Sequence, residues 1–278
     1  MDDTILVATD GSPCAMAAER IAVSLAAEHG WGLLGLYVVD ARRMGGAYLT
    51  DLAGAVGATS GGSLAGRLRG VLEERGKAVL EALAAACAEA RVPFEARMRH
   101  GVPAEAVCQA AWDACLVVLG RLGEAGPWAR RLLGSTAEMA SRRSPASVLV
   151  VPGESRQPRS LLVAYDGGPQ SGLAIGWAAR LARGRAARVT VLAVDPDVEE
   201  AKRIAGVGCA LLEVEGVAAT AALGRGDPAE EILAEVGTAS HGLVIMGSSR
   251  HTVFRDWVLG GTASRVMHES AVPVLLCR

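Results

Sequence analysis

At 278 residues the chain is long enough for two domains of ordinary size, each with its own core. Hydrophobic residues make up 51% and charged residues 21%, yet no uninterrupted apolar run approaches the roughly 18 residues of a membrane helix. A formal charge of -2 and 4% aromatic residues supply neither the basic field nor the stacking rings of a nucleic-acid binder, so neither a membrane nor nucleic acid is expected as a partner. The six cysteines form no CxxC pair and the five histidines show no ligand spacing, which argues against a disulfide or metal framework.

The start, Met1-Asp2-Asp3-Thr4, is acidic where a secretory leader is basic, and Ile5 to Ala8 is too short for a leader's core; a cytoplasmic protein is expected. Ile5 to Ala8 reads instead as a strand, followed by a helix from about Pro13 and a second strand over Leu33 to Val39. Residues 42 to 70, rich in Gly, Ala and Ser, read as a loop leading into a helix: a flexible surface insertion or a lid over a site. Leu72, Val79, Leu80, Leu83 and Cys87 then recur at helical spacing. Phe94 to Met98, a short helix from Pro103, the run Cys115 to Leu119, a helix from Gly134 and Val148 to Val151 complete the first half. Strands apolar on both faces, alternating with helices, call for a parallel sheet covered on both sides, hence a five-stranded doubly wound α/β unit.

The pattern is then written again. "TILVATDGSPCAMAAERIAVSLA" near the start returns as "SLLVAYDGGPQSGLAIGWAARLA", "LVVLGRLGEAGPWARRLLGSTAE" as "LVIMGSSRHTVFRDWVLGGTASR", and "SPASVLVVP" as "SAVPVLLCR". Asp10 and Asp166 are 156 positions apart (166 less 10), Gly120 and Gly247 only 127, so about 29 residues of the first copy, mostly 42 to 70, have no counterpart. The linker Pro152 to Pro158 separates a first domain, 1–152, from a second, 160–278.

In a doubly wound sheet ligands bind beyond the carboxyl ends of the strands, where the strand order reverses. There Asp10-Gly11-Ser12 and Gly120-Arg121-Leu122-Gly123 face each other. Glycines let successive backbone N–H groups converge on an anion, and Gly134-Ser135-Thr136 opens a helix whose N-terminus favours phosphate, with Arg121, Arg130 and Arg131 alongside. Taken singly, each glycine is equally a tight turn or a helix cap, and each arginine a solvated charge.

Together these residues resemble the universal stress protein family, in two Rossmann-like tandem copies over essentially the whole chain. The family's nucleotide motif, G-x2-G-x9-G-(S/T) after an aspartate at the end of the first strand, is met by Asp10, Gly120, Gly123, Gly134 and Ser135, with ten residues instead of nine before Gly134. The resemblance implies ATP with Mg2+ as ligand. Asp10 would lie at the ribose-phosphate or its metal and Val38 would offer backbone groups to adenine. Gly120 and Gly123 would border ribose and phosphates, while Gly134, Ser135 and Thr136 would bind phosphate. The second copy keeps Asp166 and Gly247 but has Arg250 for the second glycine and Gly260-Gly261 at the end, with Thr262 offering a hydroxyl from the next position. Its site is expected to be the weaker, because Gly261 lacks the hydroxyl of Ser135 and Arg250 fills an opening that Gly123 keeps.

Other signals point nowhere as firmly. "GRGDPA" (Gly224 to Ala229) reads as a turn into a helix with proline at its first position, "SGGSL" lacks the aspartate of pyrophosphate-releasing enzymes, and there is no P-loop and no GxSxG elbow. His100, His251 and His268 are the candidate acid-base groups, and the cysteines read as small core residues. The expected function is therefore an ATP-binding regulator of the stress response; the alternative is a slow ATPase or phosphotransferase in the same crevice, with the second domain as a structural partner. Val148–Val151 and Val274–Cys277 are expected to pair the copies as an intrachain pseudo-dimer, as the family dimerises through this strand, and the whole chain to form a homodimer in addition. Valine at Gly120 or Gly134 is expected to abolish binding without unfolding the chain.

Overall fold

The computed structural model describes residues 3–40, 61–123, 134–153, 158–184, 187–248 and 259–278, with side chains from 66 onward in the second of these segments. The first half runs β1 (Thr4–Thr9), α1 (Pro13–His29), β2 (Gly32–Asp40), α2 (Gly61–Glu89), β3 (Phe94–Gly101), α3 (Pro103–Ala110), β4 (Leu116–Gly120), α4 (Ser135–Arg143) and β5 (Ser147–Val151). The second runs β6 (Ser160–Ala164), α5 (Pro169–Ala182), β7 (Arg188–Val194), α6 (Val198–Val214), β8 (Ala219–Gly224), α7 (Pro228–Ala239), β9 (Leu243–Gly247), α8 (Gly261–Glu269) and β10 (Val274–Cys277).

Local chemistry explains where these helices begin and end. The Ser12 hydroxyl accepts the Ala15 N–H and Pro13 occupies the first turn of α1, a cap worth about 1 kcal/mol; Gly30, at φ 68°, closes the other end in the left-handed region. Asp227 caps α7 by accepting from Ala229 and Glu230, with Pro228 behind it, so "GRGDPA" is the turn into a helix that its proline indicates. Residues 61–70 belong to the first turns of α2, whereas 42–60 lie outside the described residues.

All ten strands form one sheet in the order β3-β2-β1-β4-β5-β10-β9-β6-β7-β8. Within each half every pairing is parallel, and the register repeats: Ala8 lies opposite Leu36, and Ala164 opposite Leu192, each pair 156 positions on from the other. The halves meet antiparallel, Val274 opposite Val150 and Leu276 opposite Val148. Both strands are uncharged and buried throughout, so each removes the other's open edge. The expected pairing of copies through these strands is thus a feature of the fold.

Side chains add to this seam. Trp31 of the first half meets Trp177 of the second edge to face, with centroids 6.3 Å apart, and the Arg180 guanidinium lies 4.3 Å from the Trp31 ring while pairing with Asp3. Arg121 donates to the carbonyls of His268 (3.2 Å) and Ser270 (2.8 Å) at the end of α8. Arg278 donates to Ser144 (2.8 Å) and Ser141 at the end of α4. Each arginine therefore completes the carboxyl terminus of a helix from the other half, where cations are favoured. No helix among the described residues is long and apolar enough to cross a membrane.

Candidate functional site

The strand order reverses between β1 and β4 and again between β6 and β9, which leaves a crevice at their carboxyl ends in each half. In the first half, Asp10 ends β1 with its Oδ1 accepting the Ser12 N–H (2.9 Å), and Gly11 turns the chain at φ 74°. Gly123 stands against this carboxylate: a Cβ there would come within 2.7 Å of Asp10 Oδ2. Gly134 returns to the same place, donating to the Arg121 carbonyl at 2.7 Å, so 121 and 134 close the base of the glycine-rich loop. Gly134 caps α4 without a side-chain acceptor, which leaves N–H groups of Ser135 and Thr136 at a helix N-terminus facing that base. Val38 lies one residue beyond the last β1–β2 pair, Thr9 with Tyr37, and pairs with Arg99 of β3.

Asp10, Gly120, Gly123, Gly134, Ser135 and Thr136 thus gather at one rim, but two expectations change. Gly120 is a packing residue: a Cβ would lie 2.6 Å from the Cys14 carbonyl carbon and 2.8 Å from the Ala15 nitrogen, so valine there drives α1 off the sheet instead of selectively blocking a ligand. Arg121 directs its guanidinium into the seam toward α8 and away from the anion site, because two helix-end carbonyls are available there. Arg130 and Arg131 lie outside the described residues.

Helix α2 covers this first turn. Arg75 donates to the Asp10 carbonyl at 3.1 Å, and Val79 Cγ2 lies 2.9 Å from where a Cβ on Gly11 would stand. Beneath it Thr9 donates to Glu19 while accepting from the Gly11 N–H (3.2 Å). Burial pushes the Glu19 carboxyl above its usual range, more than the Thr9 hydrogen bond and Arg20 pull it down, and the charge of Asp10 adds to the rise.

The second half presents a cleft of about 730 Å³, partly open to solvent, and among its walls are Asp166, Gly247, Gly260, Gly261 and Thr262. Five of the residues expected from sequence therefore converge; Arg250, like His251, lies outside the described residues. Asp166 Oδ1 accepts from Gly168 N–H (2.9 Å) and from the Ser171 hydroxyl (2.7 Å). Gly260 closes the loop base by donating to the Ser248 carbonyl (3.0 Å) and caps α8 without a side-chain acceptor. Gly247 abuts the start of α5, as Gly120 abuts α1: a Cβ would lie 2.9 Å from the Gln170 carbonyl carbon. Leu192, Val194, Ile232 and Met246 make the apolar wall. Val194 stands 156 positions after Val38, the same offset that relates the aspartates, so the repeat itself was the signal that finds it.

Of the acid-base candidates, the two among the described residues make their contacts away from the aspartates. His268 Nδ1 meets the Ser264 carbonyl (2.6 Å) in the last turn of α8, and His100 pairs with Glu73 (2.9 Å) on the first half's outer strand. Burial pushes the Cys87 thiol up to about 11 and raises that of Cys277 further, as expected for cysteines acting as core residues. Among the described residues no three metal-ligating side chains cluster.

Comparison with known proteins gives consistent results. The model of the universal stress protein family matches residues 1–152, 158–207 and 195–278. The chain is 25% identical over 284 aligned residues to universal stress protein Slr1230 of Synechocystis sp., covering 99% of both chains. It is 31% identical over 149 residues to universal stress protein MJ0531 of Methanocaldococcus jannaschii, covering 53% of this chain and 80% of that one. The crystal structure of a universal stress protein from Archaeoglobus fulgidus superposes over 100% of this chain and 99% of its own with a TM-score of 0.76 at 19% identity, a likeness of fold.

Proposed function

This chain belongs to the universal stress protein family, and on that premise we propose that it binds an adenine nucleotide, ATP, in the crevices at the carboxyl ends of β1 and β4 and of β6 and β9. The observation that carries this reading is the convergence of Asp166, Gly247, Gly260, Gly261 and Thr262 on one cleft of about 730 Å³. Leu192, Val194, Ile232 and Met246 offer an apolar wall to a base, while the start of α8 offers N–H groups and the Thr262 hydroxyl to phosphate.

Mg2+ accompanies the nucleotide in this reading. The ion commonly takes one or two carboxylates and fills its remaining positions with phosphate oxygens and water. Each crevice supplies one aspartate with a glycine against it, where a Cβ would come within 2.7 Å of Asp10 or 3.0 Å of Asp166. Asp10 in the first half and Asp166 in the second would hold the ion, whose chemistry there is to neutralise phosphate charge. The proposed protein is a cytoplasmic regulator in the response to stress whose conformation or partners follow its bound ATP, and two chains would associate as a homodimer of pseudo-dimers.

Mass spectrometry of ligand released from the purified full chain, with calorimetric titration of Mg-ATP into the emptied chain, tests the reading. An adenine nucleotide in the release and saturable binding are expected. A chain that carries none and takes up none at millimolar Mg-ATP is not a nucleotide binder.

A further inference from the structure

We propose that Arg121 couples the two crevices, so that nucleotide in the first half raises the affinity of the second. The inference rests on the proposed binding of nucleotide in both. Helices α4 and α8 each begin at a crevice, at Gly134 and Gly260, and each ends under an arginine from the opposite half. The two arginines are not equivalent. Arg278 reaches α4 from just past β10, whereas Arg121 reaches α8 from inside the first crevice.

The Arg121 peptide is fixed on both sides within that crevice: its N–H donates to Val151 (2.7 Å) and its carbonyl accepts from Gly134 (2.7 Å), the residue that opens the phosphate end of α4. Its guanidinium, in a residue only 9% exposed, ends on the carbonyls of His268 and Ser270. A contact between Ser141 Oγ and Met267 Sδ (3.2 Å) ties α4 to α8 alongside it. In the second half the position of Arg121 is taken by Ser248, which keeps the loop closure with Gly260 but sends no long side chain across.

The path is short and made of rigid parts. A phosphate drawn to the N–H groups of Ser135 and Thr136 fixes Gly134, and with it the Arg121 carbonyl and side chain. Helix α8 spans nine residues and moves as one body, so holding its carboxyl end also orders Gly260, Gly261 and Thr262 at its start. The second nucleotide then meets a helix whose ordering cost has already been met, which is positive cooperativity without a large movement. Reciprocity requires the second nucleotide to strengthen the first by the same factor.

Photolabelling of the full chain with an azido-ATP, read separately for each half by peptide mass spectrometry, measures both affinities at once. Disabling the first crevice with Asp10→Ala/Ser135→Ala should weaken labelling of the second by about fivefold, the lower end of ordinary coupling factors. Placed in an Arg121→Gln background, the same pair of substitutions should leave the second affinity where it was. Arg121→Lys, which keeps the charge but loses the forked donor, serves if Arg121→Gln fails to fold, and should reduce the factor; melting temperatures identify loss of fold. A fivefold effect that survives both Arg121 variants, crevices that bind independently in the intact chain, or label in one half only would each overturn the coupling while leaving nucleotide binding intact. No label in either half overturns the binding and the coupling together.

Discussion

The turns at Asp10 and Asp166 come from matching sequence, lie at matching points of the sheet and differ in what stands over them. Asp10 is half-buried, with Arg75 on its carbonyl and Val79 against Gly11. Asp166 is exposed, and a Cβ on Gly167 would meet nothing within 4 Å among the described residues. The contacts over the first turn come from the helix that follows β2, since Arg75 and Val79 both belong to α2. A motif thus specifies the strand end and the helix start, whereas access to them depends on an element far away in the chain.

The strongest test of that likeness is at the two packing glycines. Gly120→Val and Gly247→Val should each cost about 3 kcal/mol, because both place a branched side chain on helix backbone that cannot move aside. Urea unfolding measures this, and a Gly120→Val chain as stable as the parent would show that α1 does not approach as closely as described.

Next in size are the arginines of the seam. Arg278→Ala removes two charge-assisted hydrogen bonds to helix-end carbonyls and should lower stability by about 2 kcal/mol. If the halves are one cooperative unit, the loss should appear as a shift of a single transition; two separated transitions would show that the halves unfold independently despite their common sheet.

Access itself is tested by ligand. With the cleft of the second half open and α2 lying on the first turn, we expect the second crevice to bind Mg-ATP more tightly by on the order of tenfold, about 1.4 kcal/mol. This reverses the ranking expected from Ser135 and Gly123 alone. Titration of Asp10→Ala/Ser135→Ala and of Asp166→Ala/Thr262→Ala decides it: tighter binding in the chain that keeps only its first crevice restores the order expected from sequence.

The smallest effect is a pH dependence confined to the first half. Glu19 has a folded pKa raised above the ordinary 4.5, mainly by burial, so its stabilisation is complete below that value and is lost as pH rises through the folded pKa. The corresponding residue of the second half, 156 positions on, is Ile175, buried and uncharged. Glu19→Gln should therefore flatten the stability profile above pH 4.5 and make the chain slightly more stable at neutral pH; an unchanged profile would mean the carboxyl titrates normally.

Much of this was legible in the chain as written. The repeat offset places Asp166 opposite Asp10, the alternation of apolar runs with alanine-rich segments dictates parallel strands between helices, and Val148–Val151 and Val274–Cys277 are too apolar to remain as open edges. Val194 of the second cleft, which the same offset relates to Val38, was not singled out from sequence. That valine at Gly120 would spare the fold was a misreading, because a glycine needed for close approach by a helix looks, in sequence, like one needed for close approach by a ligand. Arg121 was misread because a positive charge beside a glycine loop shows nothing of the helix end that lies 147 positions later and a few ångströms away.

What the sequence determined by itself was everything that depends on neighbours along the chain: strand and helix identity, the capping serine and aspartates, and the positions of the crevices at strand ends, since period and turn chemistry are local. Packing alone decided which turn lies under a helix, where Arg121 and Arg278 spend their charges and which glycines meet backbone. Those outcomes turn on distances of a few ångströms between residues far apart in sequence, and such distances exist only once α2 and α8 have docked on the common sheet.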